Sequence, residues 1–177
     1  AGMRCDFVGH PVAERPAVAP EEAAAFRAAR GIGAEAPLLL VAPGSRRGEV
    51  ARLAPVFGET AAALAAERQD VALAVPVAET VAEEVTAWAA GLAPRPHLVT
   101  PEDGEGAKRA AAAAADAALV ASGTVALEMA AAGTPHVSTY RTSALTAAIV
   151  RRLVRIDTAH IVNLVLGERL VPEFLQE

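Results

Sequence analysis

Aromatic residues make up only 3% of this 177-residue chain, so recognition by stacked bases or an aromatic cage has little to work with. There is a single cysteine, Cys5, which excludes an intrachain disulfide framework and a cysteine cage for zinc, and fits a reducing compartment. Lysine is nearly missing: Lys108 is the only one, and the Arg that replaces it elsewhere is what coding bias would produce. A net charge of −5 removes the electrostatic footprint of a nucleic-acid binder, so no nucleic-acid partner is expected. No run reaches the roughly 18 apolar residues of a membrane span, and the first residues lack a basic-then-apolar secretion signal. The four histidines, His10, His97, His136 and His160, show no metal-ligand spacing, so no metal is expected.

What is present is alanine and valine. They lift the hydrophobic content to 53%, a composition suited to helices packed closely on a sheet. The length fits one domain over residues 1–177 with a substantial core. Both ends read as cut from something longer.

Apolar runs at 38–42, 71–75, 97–99, 117–120 and 136–140 predict strands, and FVGHP at 7–11 reads as a short strand end. Helical patterns cover 20–30, 49–68, 79–90, 104–115, 124–132 and 143–155, with Pro55 placed early enough in the second to be tolerated. Strands alternating with helices, several apolar throughout, predict an α/β fold: a single Rossmann-like domain with a parallel sheet. Ligands of such sheets bind beyond the carboxyl ends of the strands, so the turns at 44–48 and 122–124 should share one edge.

The second of those turns anchors the chain. LVASGTVALEMAAAG at 119–133 runs from a buried strand through a small-residue turn, Ser122 and Gly123, into a helix opened by Thr124. Free N–H groups and the positive end of a helix dipole make such a turn an anion site. Glu128, on the next turn, is an acceptor better matched to sugar hydroxyls than to phosphate. The pair suggests a nucleotide or nucleotide-sugar site.

Gly44, Ser45, Arg46 and Arg47 likewise leave a strand and start a helix, and could grip a diphosphate or form an ordinary capped loop. The stretch lacks P-loop spacing. GIGAEA at 31–36 matches a dinucleotide fingerprint by letter but follows a helix and precedes a strand, the wrong order, so no cofactor is expected.

Other residues admit two readings. Ser122 could act as a nucleophile with His136 or His160 as base and Asp116 as orienter, but the G-x-S-x-G elbow is absent, and Asp116 is more simply a helix-end residue. His10 could be structural or functional. Asn163 could reach a base or sugar edge, or cap the next helix. Arg151, Arg152 and Arg155 end an amphipathic helix, where they either complement its dipole or meet an anionic membrane surface or lipid.

FVGHP at 7–11, APGSRRGEV at 42–50, ASGTVALE at 121–128 and LVPEFLQ at 170–176 stand in the order and spacing of one family. Across nearly its whole length the chain resembles the carboxyl-terminal, donor-binding half of lipid-A-disaccharide synthases, glycosyltransferases of the two-lobed GT-B architecture. The resemblance implies transfer of 2,3-diacylglucosamine from its UDP derivative to 2,3-diacylglucosamine 1-phosphate, without metal, at the cytoplasmic side of an inner membrane. It implies UDP contacts from Gly44, Ser45, Arg46, Ser122, Gly123, Thr124, Glu128, Tyr140 and Asn163, with Arg46 steadying the leaving group. Val162 departs from a Pro common in the family before Asn163. The acceptor-binding half, the general base and the final carboxyl-terminal segment are expected outside this chain, leaving it inactive alone. Another GT-B donor domain for UDP-N-acetylglucosamine, or a non-catalytic nucleotide-binding module, is the alternative, and an oligomer stays open.

Overall fold

A strand buried on both faces has to lie inside a sheet with helices above and below. β1 (Leu38–Ala42) is such a strand: Leu38, Leu40 and Ala42 enter one core, Leu39 and Val41 the other, and all five are buried. In the computed structural model, which describes residues 10–141 and 160–175 together with Arg4, Asp6 and Thr158, β1 pairs in parallel with β2 (Ala72–Pro76) and β4 (Ala117–Ala121). β3 (His97–Val99) lies outside β2, β5 (His136–Tyr140) outside β4, and β6 (Glu173–Leu175) at the far edge. The order is β3-β2-β1-β4-β5-β6, with every pairing parallel. Growth of the sheet reverses between β1 and β4, which opens a crevice at their carboxyl ends.

The helices divide between the two faces. α1 (Pro20–Ala29), α4 (Gly104–Ala114) and α5 (Thr124–Ala132) pack through Phe26, the α4 alanines, Ala126 and Met129. α2 (Arg47–Glu67) and α3 (Ala82–Ala89) pack through Leu53, Phe57 and Val85 on the other, with Val81 from the 3-10 turn before α3. The alanine run of α4 works because a methyl-sized side chain lets helix and sheet approach closely while keeping the best helix propensity. The predicted α/β fold stands, with corrections in detail. Pro55 sits inside α2 and not in its first turn; its ring is exposed, so the missing N–H costs no buried partner.

Two further elements escaped the pattern, α6 (Ile161–Leu166) and β6. Both are too short to show a period. Residues 7–9 and the helix expected over 143–155, with Arg151, Arg152 and Arg155, lie outside the described residues.

The amino edge of the sheet is closed by Arg27. Its guanidinium, nearly buried, donates to the carbonyls of Gly33, Ala36 and Ala114 and to Asp116. This is what the G-x-G-x-x-A stretch does: Gly31 (φ 67°) ends α1 and the turn behind it caps Arg27.

Candidate functional site

The carboxyl ends of β1, β2, β3 and β4 surround a cleft of about 500 Å³. Its walls are the loops after each strand and the first turns of α2, α4 and α5. Gly44, Ser45 and Arg46 line one side; Ser122, Gly123, Thr124 and Glu128 line the other. The two turns that the sequence placed on one edge therefore do face one space.

Local chemistry explains each turn. Gly44 has φ 117°, and a Cβ there would lie 2.8 Å from the Cβ and a carboxylate oxygen of Glu49. Only glycine permits that approach. The loop is held from two further directions: Thr80 Oγ1 donates to the Ser45 carbonyl at 2.7 Å, and Arg46 Nη1 donates to Glu49 Oε1 at 2.6 Å. Arg46 is otherwise exposed, so its guanidinium is anchored at one nitrogen and open to solvent at the rest.

Gly123, with φ 145° and ψ −151°, occupies backbone space that is essentially glycine's alone, and it turns the chain from β4 into α5. The Ser122 N–H donates to the Thr139 carbonyl at 2.9 Å, extending the ladder to β5. That amide is therefore spent, a correction to its expected part in an anion cradle; Ser122 brings its hydroxyl only. Ala126 N–H bonds back to Gly123, which leaves the Thr124 and Val125 amides without intrahelical acceptors at the positive end of α5. Glu128 is four residues on from Thr124, so both lie on the same face of the helix.

Charge in the cleft is mixed. Glu49, Glu79, Glu105 and Glu128 stand against Arg46 and Lys108. Lys108 was not among the predicted site residues: its Nζ lies 3.2 Å from Glu128 Oε1 and 3.0 Å from Oε2. The one signal for it was its singularity, the only ammonium in a chain of guanidinium groups. Thr80 was missed because it acts on Ser45 from thirty-five residues away, and Glu49, three residues after Arg46, because its place at a helix start does not say that its carboxylate holds that guanidinium.

Two predicted contacts are not brought to the cleft. Tyr140 ends β5 on the same edge, exposed and outside the lining. Asn163 lies within α6, fully buried, and its amide exchanges two hydrogen bonds with the Val171 backbone at 2.9 and 2.8 Å. It is neither a cap, which is the place of His160, nor open to a ligand.

The Ser122 nucleophile arrangement fails on geometry. His136 pairs with Ala118 at the start of β4, while Ser122 follows its end, four residues along, or roughly 13 Å. His136 Nδ1 is 3.0 Å from the Thr134 carbonyl, and its Nε2 is 3.3 Å from His160 Nε2. Burial lowers the pKa of His160, and the neighbouring His136 adds to that. Asp116 accepts from the Leu38 N–H and Arg27 at the amino edge, as a helix-end residue should. His10 is structural in its described contacts: its Nδ1 accepts from the Val12 N–H at 3.2 Å, capping a 3-10 turn over Pro11–Glu14.

Among the described residues no group of three His, Cys, Asp or Glu is placed to hold a metal, and no helix is long and apolar enough to cross a membrane.

Comparison with known proteins bears on the fold and the family. Solved structures with the same fold include the ADP-heptose LPS heptosyltransferase II of E. coli, at TM-score 0.59 and 20% identity over 72% of this chain and 39% of that one. A family 9 glycosyl transferase from Veillonella parvula matches at TM-score 0.60 and 19% identity, over 71% of this chain and 37% of that one. The lipid-A-disaccharide synthase of Ruegeria pomeroyi is 51% identical over 99% of this chain, and that of Rhodospirillum centenum 45% identical over 99%. This chain covers 45% and 43% of those two proteins, less than half the length of the curated relatives it matches. The family model described as lipid-A-disaccharide synthetase matches residues 1–177, and the chain belongs to that family.

Proposed function

We propose that this chain is the donor-binding part of a lipid-A-disaccharide synthase and that the cleft holds the UDP of a UDP-2,3-diacylglucosamine donor. The observation that carries the reading is the pairing of the α5 amino terminus with Glu128 on one helix face, across from the Gly44–Arg46 turn. An anion and a vicinal diol, at adjacent positions, are what a nucleoside diphosphate offers.

In this reading the bond between the sugar anomeric carbon and the diphosphate oxygen breaks as the 6-hydroxyl of 2,3-diacylglucosamine 1-phosphate attacks. Negative charge gathers on the departing diphosphate. The Thr124 and Val125 amides, the Ser122 hydroxyl and the Arg46 guanidinium are dipoles and charge fixed in advance near it, and such groups act most strongly on charge that develops in the transition state. Arg46 needs no new anchor, since Glu49 already holds one of its nitrogens. Glu128 receives the ribose hydroxyls. The base that takes the acceptor proton, and the surface that binds the acceptor's acyl chains, belong to the part of the relatives that this chain does not span. In the same reading Arg151, Arg152 and Arg155 meet an anionic inner-membrane surface from the cytoplasmic side.

Titration calorimetry with UDP tests the reading. Binding by the wild type that is lost in Glu128→Ala supports it; a wild type that binds no UDP, or a variant that binds equally well, overturns it.

A further inference from the structure

The reading of Glu128 leaves open what holds its carboxylate in place. α5 supplies the position of its Cα but no hydrogen bond to its carboxylate is seen from α5. The contacts come from another helix. Lys108 projects from α4 and places Nζ within 3.0–3.2 Å of both carboxylate oxygens. Both side chains are partly withdrawn from solvent, Glu128 more than Lys108 (18% and 39% exposed).

A small cavity of about 40 Å³ lies beside the pair, lined by Lys108 and Glu128 themselves together with Arg15, Pro16 and Met129. The chain there is pinned to α4 on both sides of the lysine: Arg15 pairs with Glu105 at 2.8 Å, and Arg109 donates to the Pro16 carbonyl. An ammonium has three donors and a carboxylate about four lone-pair sites. The hydrogen bond to Oε1 leaves that oxygen a second site, Oε2 meets the ammonium as an ion pair at 3.0 Å, and both carboxylate oxygens remain able to accept from adjacent hydroxyls. Without the ammonium the Glu128 carboxylate would lose the contact that orients it, in a cleft that also holds Glu49, Glu79 and Glu105.

We infer that Lys108 is a positioning residue: it fixes the Glu128 carboxylate so that its oxygens meet a vicinal diol, and thereby sets the preference of the cleft for ribose. This rests on the nucleotide reading above. It differs from a general role for Lys108 as a cation that attracts phosphate, which would not depend on the sugar.

The test compares affinities for UDP and 2′-deoxy-UDP in the wild type, Lys108→Met, Lys108→Arg and Glu128→Gln, with thermal melts to establish that each variant folds. Methionine keeps the length and helix propensity of the lysine stem. The wild type is expected to prefer UDP by roughly tenfold, the scale of one hydrogen bond to a charged group. Lys108→Met should cut that preference to about twofold, and Lys108→Arg should restore most of it. A Lys108→Met variant that weakens both ligands by the same factor overturns the positioning role while leaving the nucleotide reading intact. A Glu128→Gln variant that keeps the full wild-type preference overturns the ribose role of Glu128 itself, and the inference with it.

Discussion

Arg27 Nη2 and Asp116 Oδ2 meet at 2.7 Å at the amino edge of the sheet, the end opposite the cleft. The pair joins α1 to the start of β4, and Asp116 also accepts the Leu38 N–H at the start of β1. One end of the sheet is thus closed by a stabilising network, and the other opens into the cleft.

Arg27→Ala should therefore lower stability without touching nucleotide affinity. It strips hydrogen bonds from the carbonyls of Gly33, Ala36 and Ala114, and the loss should be about 2–3 kcal/mol in urea unfolding. Asp116 is more than half exposed, so Asp116→Ala should cost less, about 1 kcal/mol, most of it from the Leu38 N–H left without its acceptor. A larger loss for Asp116→Ala than for Arg27→Ala would contradict this ranking.

Gly44→Ala should damage the cleft locally. The φ of 117° is unfavourable for any side chain, and the new Cβ would press on Glu49, which holds Arg46. A stability loss of about 1–3 kcal/mol is expected. UDP affinity should fall as well, because relief of the clash moves Glu49 and releases Arg46. Calorimetry on a folded variant with unchanged UDP affinity would show that the loop adjusts independently of Arg46.

Acid should weaken the fold through His160. Its pKa is lowered in the folded state by burial and by His136, while Glu173 opposes the shift. The folded protein thus resists a proton that the unfolded chain accepts near pH 6.5. The contribution of neutral His160 is complete above about pH 6.5 and is lost as pH falls below it toward the lowered folded value. Unfolding free energy compared at about pH 7.5 and 5.5 should drop more in the wild type than in His160→Gln, by up to about 1.4 kcal/mol per pH unit. Equal drops in the two proteins would remove His160 from the account.

The site was legible in part for a definite reason. Turns such as Gly44–Arg46 and Ser122–Thr124 declare themselves because a glycine conformation, a strand end and a helix start are all local features. Partners from elsewhere in the chain do not. Lys108 stands twenty residues from Glu128, and Thr80 thirty-five from Ser45; no spacing rule connects either pair. Asn163 misled for the same reason, since a lone polar residue among apolar ones looks alike whether it faces a ligand or the Val171 backbone.

By itself, then, the sequence determined the alternation of apolar strands with helices, the parallel sheet that follows from it, and the family, through four ordered motifs. It also settled that the two small-residue turns would share an edge, since consecutive parallel strands put every strand end on the same side. Which residues fill the space between those turns was decided only by tertiary structure. The order β3-β2-β1-β4-β5-β6 brings α4 beside α5, and so sets the chain's one lysine against Glu128. Side-chain pairs across helices depend on strand order, and strand order is a property of the whole sheet.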